Sequence, residues 1–155
     1  MIRLNDILKE IGGGSSGVYP YSLDKENVDV GPSNRKTYAA YSFKSDENEY
    51  EVLLRDDGVD GIGVGFKIKG GMYRDLTGEG KPLKIINTVV NVVKDFYERN
   101  KEIFTDGPYE VFTISASGKT DDAKKRERLY KTFIKRQFPR AKINSEPELI
   151  TVKVS

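Results

Sequence analysis

Residues 82–100, "PLKIINTVVNVVKDFYERN", decide the architecture. The polar residues Lys84, Asn87, Thr88, Asn91, Lys94, Asp95 and Glu98 fall on a single helical stripe. The rest of the segment, including Ile85, Ile86, Val89, Val90, Val93 and Phe96, is apolar. A helix that is apolar over most of its circumference belongs in the middle of a domain. Many of these residues are β-branched and stiff at χ1, which is poor helix chemistry in isolation, so packing must hold the helix together. Pro82 suits its first turn.

The material that packs on this helix lies on both sides of it in the chain. Upstream, "TYAAYSFKS" (37–45), "EYEVLLRD" (49–56) and "GIGVGFKIK" (61–69) are rich in aromatic and β-branched residues, with "DENE" and "DGVD" between them. Such short polar links make successive strands antiparallel. In the third run, Ile62, Val64, Phe66 and Ile68 alternate with Gly61, Gly63, Gly65 and Lys67, so one face carries almost no side chains. Either that face lies against a close backbone or ligand, or the strand is a thin edge with bulges, and the edge is the simpler reading. Downstream, "YEVFTISAS" (109–117) reads as a strand. Residues 121–138 read as a second helix that docks through Ala123, Leu129, Tyr130, Phe133, Ile134 and Phe138 and stops at Pro139. "AKINSE" (141–146) and "LITVKVS" (149–155) read as short final strands. The order predicts a single α+β domain: a mostly antiparallel sheet with two main helices on one face. The helix between the third and fourth of these strands allows a crossover, right-handed if the two are parallel.

The N-terminal part has a different texture. In residues 1–11, Leu4, Ile7, Leu8 and Ile11 share a helical face, which predicts a short N-terminal helix. "GGGSSG" (12–17) stops it. "VYPYSLDKENVDVGPSNRK" (18–36) has little periodicity, so residues 12–36 read as a flexible arm or loop ahead of a globular core over 37–155. Tyr19 and Tyr21 on this arm are candidates for docking into a protein neighbour.

Composition narrows the chemistry. The 155 residues suit one domain, and apolar and charged contents of 37% and 32% describe a modest core under a polar surface. With neither cysteine nor histidine, disulfides, thiolate zinc sites, the Ser-His-Asp triad and the Cys-His dyad are excluded. Catalysis would have to rest on carboxylates, lysine, tyrosine, or an oxygen-ligated Mg²⁺ or Ca²⁺. "LRDDGVDG" (54–61) lacks the spacing and closing glutamate of a calcium loop and reads as a polar turn. No residue is assigned as catalytic or metal-binding, and no cofactor is expected. No apolar run is long enough for a transmembrane helix, and the start of the chain lacks the apolar region of a signal peptide.

"SASGKT" (115–120), between a strand and a helix, invites comparison with a phosphate-binding P-loop. With Gly118 as the second glycine of that motif, the first would fall at Thr113, inside the strand. Lys119 and Thr120 therefore read as a turn, with Thr120 or Asp121 as helix cap.

Three segments taken together, "LNDILKEIG" (4–12), "LTGEGKPLKIINTVVNVVKDF" (76–96) and "FTISASGKTDDAKKRERLYKTFIKR" (112–136), resemble a recurrent type of small protein encoded by tailed bacteriophages. In that type a short N-terminal helix leads to a sheet, a TG-x-G turn opens an apolar helix, and an R-x-x-L-Y-x-x-[FL] pattern sits on a later helix. Here the last is Arg126, Leu129, Tyr130 and Phe133. The resemblance implies a phage origin and a shared fold. The type has no assigned activity and transfers no site.

Charge is unevenly spread. Residues 119–142 hold ten Lys/Arg against three acids, a net of +7 in a chain whose total is +2. Lys124, Arg128, Lys131 and Lys135 recur at helical spacing opposite the apolar side, the footprint expected of contacts with phosphates or another acidic partner. A solvated helix face gives the same pattern. The expectation is a non-enzymatic phage accessory protein acting through protein-protein contacts or self-association, in the host cytoplasm or the virion. Two alternatives stand beside it. One is a nucleic-acid-binding accessory protein, or an inhibitor of a host nucleic-acid enzyme, using the basic helix 121–138. The other is a Mg²⁺-dependent or carboxylate-based hydrolase. No membrane partner is expected.

Overall fold

Short polar links between β-branched, aromatic runs turn a chain back on itself, and the three upstream runs pair in that way. The structure, a computed structural model, describes residues 17–29, 36–46, 48–56, 61–69, 82–105, 111–115, 120–146 and 149–154. Its strands are β1 (Tyr21–Asp29), β2 (Lys36–Lys44), β3 (Glu49–Asp56), β4 (Gly61–Ile68), β5 (Val111–Ser115), β6 (Lys142–Glu146) and β7 (Leu149–Lys153). They form one seven-stranded sheet in the order β1-β2-β3-β4-β5-β7-β6. The helices are α1 (Pro82–Arg99), α2 (Lys101–Thr105) and α3 (Thr120–Gln137). Every neighbouring pair is antiparallel except β4 and β5, which lie parallel on either side of the α1 crossover. The fold is the single-domain α+β arrangement that the element order predicts.

Two expectations are overturned. Residues 21–29, expected in a flexible arm, form β1 and pair with β2 from Tyr21↔Phe43 to Asp29↔Lys36. The sequence hides this strand because "DKEN" breaks the apolar alternation, and a register shift between Leu23 and Lys25 disrupts the period of two. An edge strand takes its order from its partner's backbone, so it needs little pattern of its own. The glycine-rich β4 is no thin edge either: it pairs with β3 on one side and β5 on the other. The helix expected in residues 1–11, and residues 12–16 and 30–35 of the expected arm, lie outside the described residues.

The core sits between one face of the sheet and the helices. The sheet contributes Tyr41, Val52, Leu54, Ile62, Val64, Phe112, Ile114, Ile150 and Val152, and α3 contributes Leu129, Tyr130, Phe133 and Ile134. Between them α1 buries Leu83, Ile85, Ile86, Val89, Val90, Val92, Val93 and Phe96, nearly its whole circumference. Phe112 receives Phe96 edge-on at 6.2 Å between centroids, with Phe104 of α2 tilted at 4.7 Å.

The polar stripe of α1 is occupied as well. Asn87 Nδ2 donates to the Gly17 carbonyl (2.9 Å), and the Tyr19 N–H donates to Thr88 Oγ1 (2.9 Å). Thr88 in turn donates back to the Lys84 carbonyl (2.6 Å), and Lys84 Nζ stands 4.3 Å over the Tyr19 ring. The segment that leads into β1 is thus fastened to α1. Gly17 permits the approach: a Cβ there would come within 2.7 Å of Asn87 Nδ2.

Val93→Asp should place an unpaired carboxylate in this core at a cost of several kcal/mol and abolish folding. Wild-type melting and circular dichroism in that variant would contradict the central position of α1. Thr88→Val keeps the shape but removes the acceptor for Tyr19 N–H. It should cost about 1–2 kcal/mol in urea unfolding and speed amide exchange at residue 19, leaving exchange in the centre of α1 unchanged.

Candidate functional site

Helix α3 has two faces because its apolar residues recur at three and four positions. Leu129, Tyr130, Phe133 and Ile134 are buried, as is Phe138 just beyond the helix. On the outer side Lys124, Arg128 and Lys135 are exposed. Among the described residues no carboxylate forms an ion pair with any of these three. Lys131 is half-buried and reaches Glu127 Oε1 at 3.2 Å, one turn back. The Ser145 hydroxyl and the Lys131 ammonium hold the Glu127 carboxyl below the usual carboxylate range. This contact ties α3 to β6. Three of the four residues predicted to carry a basic face are therefore open to a partner, and the fourth is already engaged. Exposed Arg136, Arg140 and Lys142 continue the positive surface past the end of the helix.

The predicted protein-docking tyrosines lie elsewhere. Tyr19 is 6% exposed, and its ring stacks on Phe43 at 6.1 Å between centroids and 11° between planes. It is used within its own chain, which removes it as an anchor for a neighbour. Tyr21, on β1, is half-buried and meets Tyr41 edge-on at 6.1 Å. Tyr19 and Tyr21 do not join the basic face, which is tied to the opposite edge of the sheet through Ser145. Lys119 lies outside the described residues, and Thr120 is the first residue of α3.

One polar cluster escaped the sequence. Tyr41 Oη donates to Asp95 Oδ2 (2.8 Å), and Arg99 Nε donates to the same oxygen (2.7 Å). No local pattern could reveal it, because Tyr41 and Asp95 come from different layers. Burial first, then the hydrogen bond and charge of Asp95, push the Tyr41 hydroxyl well above the ordinary tyrosine range. Burial, then Asp95, also raises Tyr21. A phenol held in its protonated form is a poor base or nucleophile, so this cluster is suited to joining β2 to α1.

A shallow cleft of about 480 Å³ opens beside β1 and β2, lined by Pro20, Tyr21, Ser22, Ser42, Phe43, Lys44 and Glu49. Its hydroxyls, Ser22 Oγ and Ser42 Oγ, lie 3.4 Å apart, and Ser22 Oγ donates to Asp24 Oδ1 at 2.9 Å. Activating a serine needs a base positioned to take its proton; the carboxylate that Ser22 meets, Asp24, is exposed on the same edge strand. No group of three acidic residues able to hold a metal occurs among the described residues, and no described helix is long and apolar enough to cross a membrane. Compared with protein-family models, curated proteins and solved structures, the chain matches none.

Tyr41→Phe tests the cluster through pH. The folded state keeps Tyr41 protonated, so its contribution is complete below the free tyrosine value of 10.0 and is lost as pH rises towards the folded-state value. Urea midpoints should fall more steeply above that pH for the wild type than for Tyr41→Phe. At neutral pH the variant should be less stable by about 1.5–3 kcal/mol, the usual range for a hydrogen bond to a charged group. Parallel pH profiles would contradict the assignment.

Proposed function

We propose that this chain is a non-enzymatic accessory protein of a tailed bacteriophage that acts by surface contact with a macromolecular partner. The observation that carries the reading is the basic face of α3: Lys124, Arg128 and Lys135 are exposed along one side of a helix whose other side is anchored in the core. The partner this surface fits best is a nucleic acid. Lys124 and Lys135 are eleven residues apart, about 16 Å along a helix axis, a span over which a duplex presents several phosphates. Such contact would be weakly selective for sequence, since phosphates position a protein without specifying a base. The titratable groups with shifted values in the interior, Tyr41 and Tyr21, belong to the cluster that joins β2 to α1, which favours binding over catalysis.

A second reading, contact with a protein or with another copy of the chain, in the host cytoplasm or in the virion, is favoured by the edges of the sheet. Among the described residues no strand pairs with the outer edge of β6, and Leu149 on β7 is 40% exposed. An uncovered edge can accept a strand from a partner.

Replacing Lys124, Arg128, Lys131 and Lys135 together by Ser should leave the melting temperature nearly unchanged, since three of these charges are exposed and a one-turn helix pair such as Lys131–Glu127 adds only a few tenths of a kcal/mol. Fluorescence anisotropy with a labelled duplex should show about tenfold or greater loss of affinity at low salt and a shallower salt dependence. A folded variant that binds the duplex as the wild type does, or a wild type that binds none at low salt, would remove the nucleic-acid reading.

A further inference from the structure

We propose that the sheet face turned away from the helices carries a binding site for a flat organic anion, centred on Arg55 and the glycines of β4. The inference is independent of the basic face of α3, which belongs to the other layer.

Cross-strand register places Thr37, Arg55, Gly63, Thr113, Thr151 and Asn144 in one row, running from β2 through β3, β4, β5 and β7 to β6. Their chain neighbours Leu54, Ile62, Phe112, Ile150 and Val152 point into the helix-side core. Successive side chains of a strand alternate, so Arg55, Gly63, Thr113 and Thr151 face the other way, and Thr37, beyond the register shift that separates it from Ala39, joins them through its pairing with Arg55. Two adjacent members stand out. Thr37 is 2% exposed, and both its Oγ1 and Arg55 Nε are buried without a hydrogen-bond partner. Among the described residues no carboxylate forms an ion pair with Arg55. A buried donor without an acceptor costs stability, and a guanidinium, charged at every accessible pH, cannot avoid the cost by losing its proton. An anionic oxygen beside Arg55 would satisfy Nε and could also accept from the Thr37 hydroxyl. The planar fork of arginine suits carboxylate and phosphate above other anions.

The glycines say what the anion would be carried on. Gly61, Gly63 and Gly65 leave this face of β4 without side chains over about 13 Å of strand, with β3 and β5 about 4.8 Å to either side. Gly61 is buried, but at half-buried Gly63 and Gly65 a flat ring can lie against bare backbone, as a side chain at these positions would not allow. Leu53, opposite Gly65, and Val111, opposite Gly61, supply apolar borders, and Leu53 is itself buried. A ring with a carboxylate or a phosphate is the chemistry that uses all three features. Aromatic acids and nucleotides share it.

The test is a ¹H–¹⁵N NMR titration of the full chain with sodium benzoate, AMP and inorganic phosphate in separate arms. Benzoate or AMP at millimolar concentration should move the amides of Gly61, Gly63 and Gly65 and the Arg55 Nε–H saturably, and whichever binds more tightly identifies the source of the anion. Arg55→Gln should weaken that binding by about tenfold and melt at or above the wild-type temperature in the absence of probe. Gly63→Val, or Gly63→Ala if the valine variant does not fold, should weaken the ring-bearing probe more than phosphate. The four-serine variant of α3 should leave these shifts unchanged. The proposal is overturned if none of the three probes gives saturable shifts at these residues, or if shifts are confined to α3. It is also overturned if Arg55→Gln binds as the wild type does, or if it melts well below the wild type, since its own chain would then be holding the guanidinium.

Discussion

The rest of the structure depends on the enclosure of α1. Eighteen residues rich in valine and isoleucine do not hold a helix in water, because β-branched side chains lose rotamer freedom and a short isolated helix barely repays its nucleation. The segment becomes a helix only when surrounded. The sheet closes one side, α3 another, and Phe104 of α2 joins Phe96 and Phe112 at the end. Even the polar stripe is enclosed in part, with Asn87 and Thr88 bonded to the segment entering β1 and Asp95 bonded to Tyr41. The crossover that places β5 parallel to β4 also passes through this helix, so its burial and the strand order are one constraint.

That explains what was legible in the sequence. The apolar circumference of α1, the antiparallel runs 37–45, 49–56 and 61–69, and the docking side of α3 are written in local periodicity. Each gives an element and its buried face directly. The site was legible in part: spacing alone placed Lys124, Arg128 and Lys135 outside, but the pairing of Lys131 with Glu127 depends on which rotamers the two side chains adopt. β1 was hidden because an edge strand with Asp24, Lys25 and Glu26 in it takes its conformation from β2. Tyr19 was misread for the reverse reason. An aromatic residue near glycines and prolines suits an extended arm, and only the tertiary position of Thr88 and Phe43 turns it inward. Long-range polar pairs such as Tyr41 with Asp95 leave no trace in spacing at all.

The two sides of the sheet obey different rules. On the helix side, Val52, Leu54, Ile62, Phe112 and Ile150 are fully buried, and the demand there is for volume and close packing. On the other side Thr37, Arg55, Gly63, Thr113 and Thr151 form one cross-strand row, where volume is scarce and hydrogen-bonding groups are common. Glycine inside a central strand weakens it, through greater backbone entropy in the unfolded chain and the loss of a packing side chain. Three of them at alternating positions in β4 lower stability without adding anything to the core. Their presence is better explained by what lies close to the strand than by the strand itself.

The same reasoning applies to α3. Lys135 and Arg136 in its last turn match the helix dipole and help the helix form. Lys124, near the positive end, does the opposite. Like charges one turn apart, at 124 and 128 and again at 131 and 135, each cost a few tenths of a kcal/mol. Lys131 recovers part of this, through Glu127. The fold needs Leu129, Tyr130, Phe133 and Ile134 from this helix, and its outer side would fold as well or better with mixed charges. A positive face that the fold does not require, on a helix that the fold holds rigidly in place, is what the proposed contact with an anionic surface would need.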